Sequence, residues 1–237
     1  MASGIYVATS GAVARQNQLE IVANNLANVD TDGFREQQVS FQEVLVDEVD
    51  APNRRMVALG RTYGSQRQGS LKTTNNPRDL AIEGTGHFVV GTESGQQLTR
   101  ALTLQLSPRG DLQDAFGRRV FGETGPIILD DLESVRVDRR GQLVRDGEVL
   151  DRIRTVDVAN PSGLQPTGLG LQQPTQESGG PFLVEAQVVA GALESSNVNA
   201  LESMVQLVQL QREYQTLSRA ISSYREAEEG LIEAARS

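Results

Sequence analysis

The chain has 237 residues, with 22 basic and 31 acidic side chains, a net charge of -9, no cysteine and one histidine, His87. Disulfides and thiolate metal sites are excluded, and a catalytic triad or histidine-based metal site would have a single imidazole to work with. A pI near 4.8 also argues against the clustered cations that a phosphate-tracking groove needs, so nucleic acid is not expected as a partner.

At about 150 residues per domain the length allows one or two domains. With 38% hydrophobic but only 4% aromatic residues, the core is expected to be divided or thin. No run approaches the roughly 18 consecutive apolar residues of a membrane-spanning helix. Met1 to Ala14 mixes Gly, Ser and Thr with apolar residues, which is unlike a secretory signal, so a soluble protein without a cleaved leader is expected.

The first predicted element is a helix. Ile5, Ala8, Ala12, Leu19, Val22, Leu26 and Val29 recur at intervals of three and four, interrupted only by Arg15, as in a heptad seam. Asp30-Thr31-Asp32-Gly33 ends it, because short polar side chains compete for backbone hydrogen bonds and Gly33 can supply a positive φ. Residues 1–36 form this helix and turn, and residues 37–76, rich in Arg, Gln, Gly and Thr, read as an extended connector. Residues 77–160 carry short alternating apolar runs and closely spaced turn signals, which predict an all-β domain. Residues 161–190, dominated by Pro, Gly and Gln, read as a second connector with a last β segment.

Residues 191–237 close the chain with a long helix. Leu207, Leu210, Tyr214, Leu217, Ile221, Tyr224 and Leu231 continue one seam, and Ser195, Ser196, Asn197 and Asn199 are candidate N-caps. The predicted fold class is α+β, with long N- and C-terminal helices packing as a coiled-coil-like core around which an all-β domain is inserted. Neither seam has enough large apolar residues to order its helix alone, so partners are expected.

Candidate chemistry is sparse. His87, with Glu83 nearby in sequence, has no Ser, Cys or second acid placed by a motif, and the ordinary reading is a solvent-facing or turn-adjacent strand histidine. Gly84 and Gly86 resemble a fragment of a phosphate loop but lack its third glycine and following helix, so a β-turn is the better reading. Asp130 and Asp131 point apart on a strand and read as a solvated turn. Asn24, Asn25 and Asn28 line the polar side of the first helix, where they serve either solvation or uncharged hydrogen bonding to neighbouring subunits. No catalytic residue, cofactor site or metal site is expected.

The stretch Ala23-Asn-Asn-Leu-Ala-Asn-Val-Asp-Thr-Asp-Gly-Phe-Arg35 closely resembles the ANNLANxxTxGF[KR] signature of the bacterial flagellar rod and hook proteins. Asp79 to Gly86 is similar to that family's DLAIxGxG, and Gly191 to Asn199 to its GxLExSNV. Two departures stand out: Leu98-Thr99-Arg100-Ala101-Leu102-Thr103-Leu104 replaces the usual YTRxGxF, and His87 replaces an aromatic.

The resemblance implies a non-catalytic rod subunit of the flagellar basal body, exported unfolded through the flagellar export apparatus. Its terminal helices would form an inner core around the export channel, with the β-domain outside. Its partners would be itself and other proximal and distal rod subunits, with no small-molecule substrate. The opening Ile5 to Ala12 and the ending Ser196 to Ala200 are most like the proximal-rod members. A distal-rod subunit, or a soluble coiled-coil adaptor with a β cargo domain, is the alternative. The expected assembly interface comprises Ile5, Leu19, Val22, Asn24, Asn25, Leu26, Asn28, Val29, Leu207, Leu210, Tyr214, Leu217, Ile221 and Tyr224, with Gly33 at the turn.

Overall fold

The computed structural model describes residues 2–48 and 51–236, and side chains at 8–40, 61–227, 229, 230 and 234. Ile5 and Leu231 lie in helices, but their side chains fall outside the described residues. The chain divides into two compact units, one of residues 1–27, 37–62 and 199–237, the other of residues 28–36 and 63–198.

The first unit holds helix α1 (Ala2–Ala27), helix α2 (Ala200–Arg236) and a pair of long strands, Gln37–Glu48 and Ala51–Gly64, whose last two residues belong to the second unit. Asn199 caps α2: its side-chain oxygen accepts the Glu202 N–H at 3.4 Å, and Glu202 places an acid in the first turn, where the helix dipole favours one. At the other end of α1, the Asn25 side chain is buried and clamps one residue, accepting the Gln37 N–H and donating to the Gln37 carbonyl, both at 2.8 Å.

The expected coiled-coil-like core is not what these helices make. They touch, with Arg15 paired to Glu213 at 2.8 Å and Leu217 lying where a side chain at Gly11 would meet it. Among the described residues, however, the buried positions on α1 and α2 are Ala12, Ala14, Asn25 and Ser203, and no large apolar side chain. Leu19, Val22, Leu26, Leu207, Leu210, Tyr214, Leu217 and Ile221 are half-buried, and Tyr224 is exposed. A knob is enclosed only when four residues of a facing helix surround it. Here α1 offers small residues such as Gly11 and Ala12, so the seams stay open. Val29 lies beyond the end of α1, in the other unit.

The second unit holds the hydrophobic core. Its largest sheet has nine strands, and the strand His87–Thr92 sits inside it, paired antiparallel with Gly95–Thr99, Arg119–Val120 and Thr155–Asp157. Four consecutive residues of that strand, His87 to Val90, are buried, because both faces of the sheet are covered. Phe88 and Val90 point into the larger cluster with Leu80, Ile82, Leu102 and Leu143, while Val89 points the other way into a smaller one with Leu98, Val156 and Leu164. The core is divided by a sheet, which explains how few aromatics suffice.

Both segments read as connectors contain paired strands. Residues 161–190 supply Gln165–Gly168, Leu171–Gln173 and Phe182–Leu183 to the large sheet, and Gln187–Ala190 pairs with Asp79–Glu83. Within 37–76, besides the two long strands, Leu71–Thr73 pairs with Ala192–Glu194.

Candidate functional site

Gly33, Phe34 and Arg35 follow the helix-ending turn. Gly33 has φ of 73°, and a Cβ there would lie 3.2 Å from the Ala101 nitrogen, so both conformation and space favour glycine. The Gly33 N–H donates to the Glu194 carbonyl at 2.6 Å, which brings the end of the first sequence motif onto the third.

At that meeting point lies a buried ion cluster. The Glu194 carboxylate accepts from Arg35 Nη2 at 3.0 Å on one oxygen and from Arg100 Nε at 2.8 Å on the other, with all three side chains at most 6% exposed. Arg100 Nη2 also donates to the carbonyls of Ile82 (2.9 Å) and Gly84 (2.7 Å), and its Nη1 to that of Gly86. The turn read as a bland β-turn is thus a cup of carbonyls for a guanidinium. Gln68 completes it, donating to Ile82 O at 2.6 Å and accepting the Gly84 N–H at 3.1 Å.

The cluster fastens three passages of chain. Arg35 Nη1 donates to the Arg67 carbonyl, and the Asn197 side chain accepts the Glu36 N–H at 2.6 Å while donating to the same Arg67 carbonyl at 2.7 Å. The Gly69 N–H donates to Glu194 at 3.1 Å, and a Cβ at Gly69 would collide with the Ser195 carbonyl at 1.9 Å. Residues 33–36, 64–70 and 194–197 all belong to the β unit and are next in sequence to the long strands and to α2.

Electrostatics follow from burial. Two guanidinium groups share one carboxylate; burial lowers the Arg35 pKa, Glu194 opposes that shift and Arg100 adds to it. His87, 5% exposed, is pushed down to about 3, first by burial and then by the positive charges of Arg100 and Arg35. It is therefore neither solvent-facing nor a general base near neutral pH. Asp131 is held at about 2 by hydrogen bonds from Glu133 N–H, the Ser134 hydroxyl and Ser134 N–H, a self-contained turn at full exposure. Among the described residues no cluster of three or more His, Cys, Asp or Glu side chains has metal-binding geometry, and no helix is long and apolar enough to cross a membrane.

Of the predicted site residues, Gly33 lies at this cluster and the asparagines fall elsewhere. Asn24 is exposed, Asn25 clamps the chain leaving the turn, and the Asn28 side-chain oxygen accepts the Thr31 hydroxyl at 3.1 Å. Sequence reasoning passed over Arg35, Arg100 and Glu194 as a set. The available signal was that each sits inside a motif-like stretch and that no charged residue is buried without a partner.

A charged cluster sealed from solvent and bonded to backbone carbonyls holds chain segments of the β unit together. Residues 5–35 match the sequence profile described as flagella basal body rod protein, and residues 189–236 match that of the flagellar basal body rod FlgEFG protein C-terminal region. The chain is 30% identical over 237 residues to the flagellar basal-body rod protein FlgF of Escherichia coli (strain K12), covering 94% of each chain. It is 28% identical over 253 residues to FlgG of Buchnera aphidicola subsp. Baizongia pistaciae (94% of this chain, 96% of the relative) and 26% identical over 260 residues to FlgG of Bacillus subtilis (strain 168), covering 98% of each. The chain belongs to the flagellar basal-body rod protein family. It is a structural rod subunit of the basal body, and that family assembles with other rod subunits.

Proposed function

We propose that this subunit occupies the FlgF place, in the proximal rod, where it transmits torque and contributes to the wall of the export channel. The observation that carries the assignment is the match to an Escherichia coli FlgF at 30% identity, covering 94% of each chain. The FlgG relatives named above align over 253 and 260 residues at 28% and 26%. A distal-rod place is the second reading, favoured by the 96% and 98% coverage of those FlgG chains.

The half-buried seam residues Leu19, Val22, Leu26, Leu207, Leu210, Tyr214, Leu217 and Ile221, with exposed Tyr224, are the surface that neighbouring rod subunits cover. Arg35, Glu194 and Arg100 hold segments of the β unit together under load, because breaking a buried ion pair strands a charge. The chain reaches the rod through the flagellar export apparatus. Electron microscopy of purified basal bodies carrying a tagged subunit tests the placement. Label at the motor end of the rod supports it, label confined to the hook end favours the distal reading, and unlabelled rods overturn both.

A further inference from the structure

Within the β unit, a groove of about 340 Å³ opens beside the turn that ends the first sequence motif, lined by Asp30, Asp32, Phe116, Arg118, Leu169 and Leu193 among others. Three features of it are costly for an isolated chain. Phe116 is 61% and Leu169 55% exposed, and Leu169 has φ of 51°, a left-handed conformation that bulky residues rarely adopt. The Arg118 guanidinium is ion-paired to Asp114 and lies 4.7 Å from the centre of the Phe116 ring, yet its buried Nη1 has no hydrogen-bond partner among the described residues. Asp30 and Asp32 are exposed and form no ion pair among the described residues. The groove asks for an apolar side chain and a cation together.

The same unit presents that combination on a separate patch. The three-stranded sheet Arg136–Val137, Gln142–Arg145, Glu148–Arg152 has Arg136 opposite Val144 and Val144 opposite Val149, which puts the three in one row on one face. Leu143, on the alternate face, is fully buried, so the row faces away from the core; Val149 is 51% exposed and Arg136 is exposed with no ion pair among the described residues. Glu148–Arg152 is an edge strand of this sheet, and an edge offers unpaired carbonyls.

We propose that the Arg136-Val144-Val149 row of one copy of this chain seats in the groove of the next copy. Val149 packs against Phe116 and Leu169, and Arg136 faces Asp30 and Asp32. Charge complementarity supports this occupant, because Arg136 is an exposed cation and Asp30 and Asp32 are exposed carboxylates. Because row and groove are different patches, the contact is heterologous and propagates along an assembly. The inference rests on the reading that copies of this subunit are neighbours in the rod.

The absence of cysteine makes the test clean. Basal bodies from cells carrying Phe116→Cys with Val149→Cys are oxidised and the chain is followed on a non-reducing gel. A ladder of dimers and higher multimers is expected from the double variant, with none from either single variant; Leu169→Cys with Val149→Cys should repeat it. In parallel, Arg136→Asp and Asp30→Arg should each lower the yield of complete rods, and the double exchange should restore it. Chains present in basal bodies without multimers from either cysteine pair, dimers from a single-cysteine variant, cross-links only to a different rod protein, or no restoration by the charge exchange would each overturn the contact. A parental chain missing from basal bodies would remove the functional reading, and this contact with it.

Discussion

His87 is an imidazole packed beside two guanidinium groups, and its protonation is a direct meter of that packing. Its pKa is about 3 in the folded chain against 6.5 in the unfolded one, so between those values the unfolded chain binds a proton that the folded chain refuses. The resulting stability is fully present above pH 6.5 and is lost as pH falls toward 3, at about 1.4 kcal/mol per pH unit. From pH 7 to pH 5 the parent should therefore lose about 2 kcal/mol more than His87→Gln in urea unfolding; parallel losses in the two proteins would show that His87 is not so placed. Gly33 is constrained by both φ and the nearby Ala101 nitrogen. Gly33→Val should cost roughly 1–3 kcal/mol for backbone strain alone, with crowding added. An unchanged urea midpoint would contradict the turn described here.

At the scale of elements, the two units differ in how much of their apolar surface is enclosed. Leu80, Ile82, Phe88 and Val90 are fully buried, whereas Leu201, Met204, Val205 and Val208 on α2 are all at least 46% exposed. Amide exchange of the isolated subunit should accordingly be slowest across 80–82 and 88–90 and much faster along α2, since local stability follows buried contacts. Equal protection of α2 would mean that its apolar face is covered in the free chain. Leu217 is half-buried beside Gly11 on α1. Leu217→Glu should leave the thermal transition of the β unit at the parental value while abolishing complete rods. Rods assembled normally, or a lowered β-unit transition, would place Leu217 outside an assembly surface.

On the scale of the whole molecule, the two helices and the central β region were legible because their apolar spacing is regular and their turns carry Gly, Asp and Asn. Of the strands in 161–190 only a last β segment was legible, because Gln172 is buried as a polar residue and neighbouring Gly and Pro break any alternation. The helices' failure to build a coiled-coil core was equally hidden: periodicity says which face is apolar, while enclosure depends on what stands opposite. The ion cluster escaped for a third reason. Arg35, Arg100 and Glu194 are far apart in sequence, and their meeting is a product of strand pairing that brings Leu71 opposite Glu194 and Ala81 opposite Ala101. Yet this meeting ties residues of separate motifs to one another within the β unit. The most direct test is the yield of complete rods in basal bodies from cells carrying Glu194→Gln, with Arg67→Ala, whose 76% exposed side chain makes only a surface ion pair with Glu36, as the control. Removing the one carboxylate shared by two buried cations should cost roughly 3–5 kcal/mol and abolish complete rods, while the control builds them at the parental level. Parental rod yield from Glu194→Gln would contradict the account.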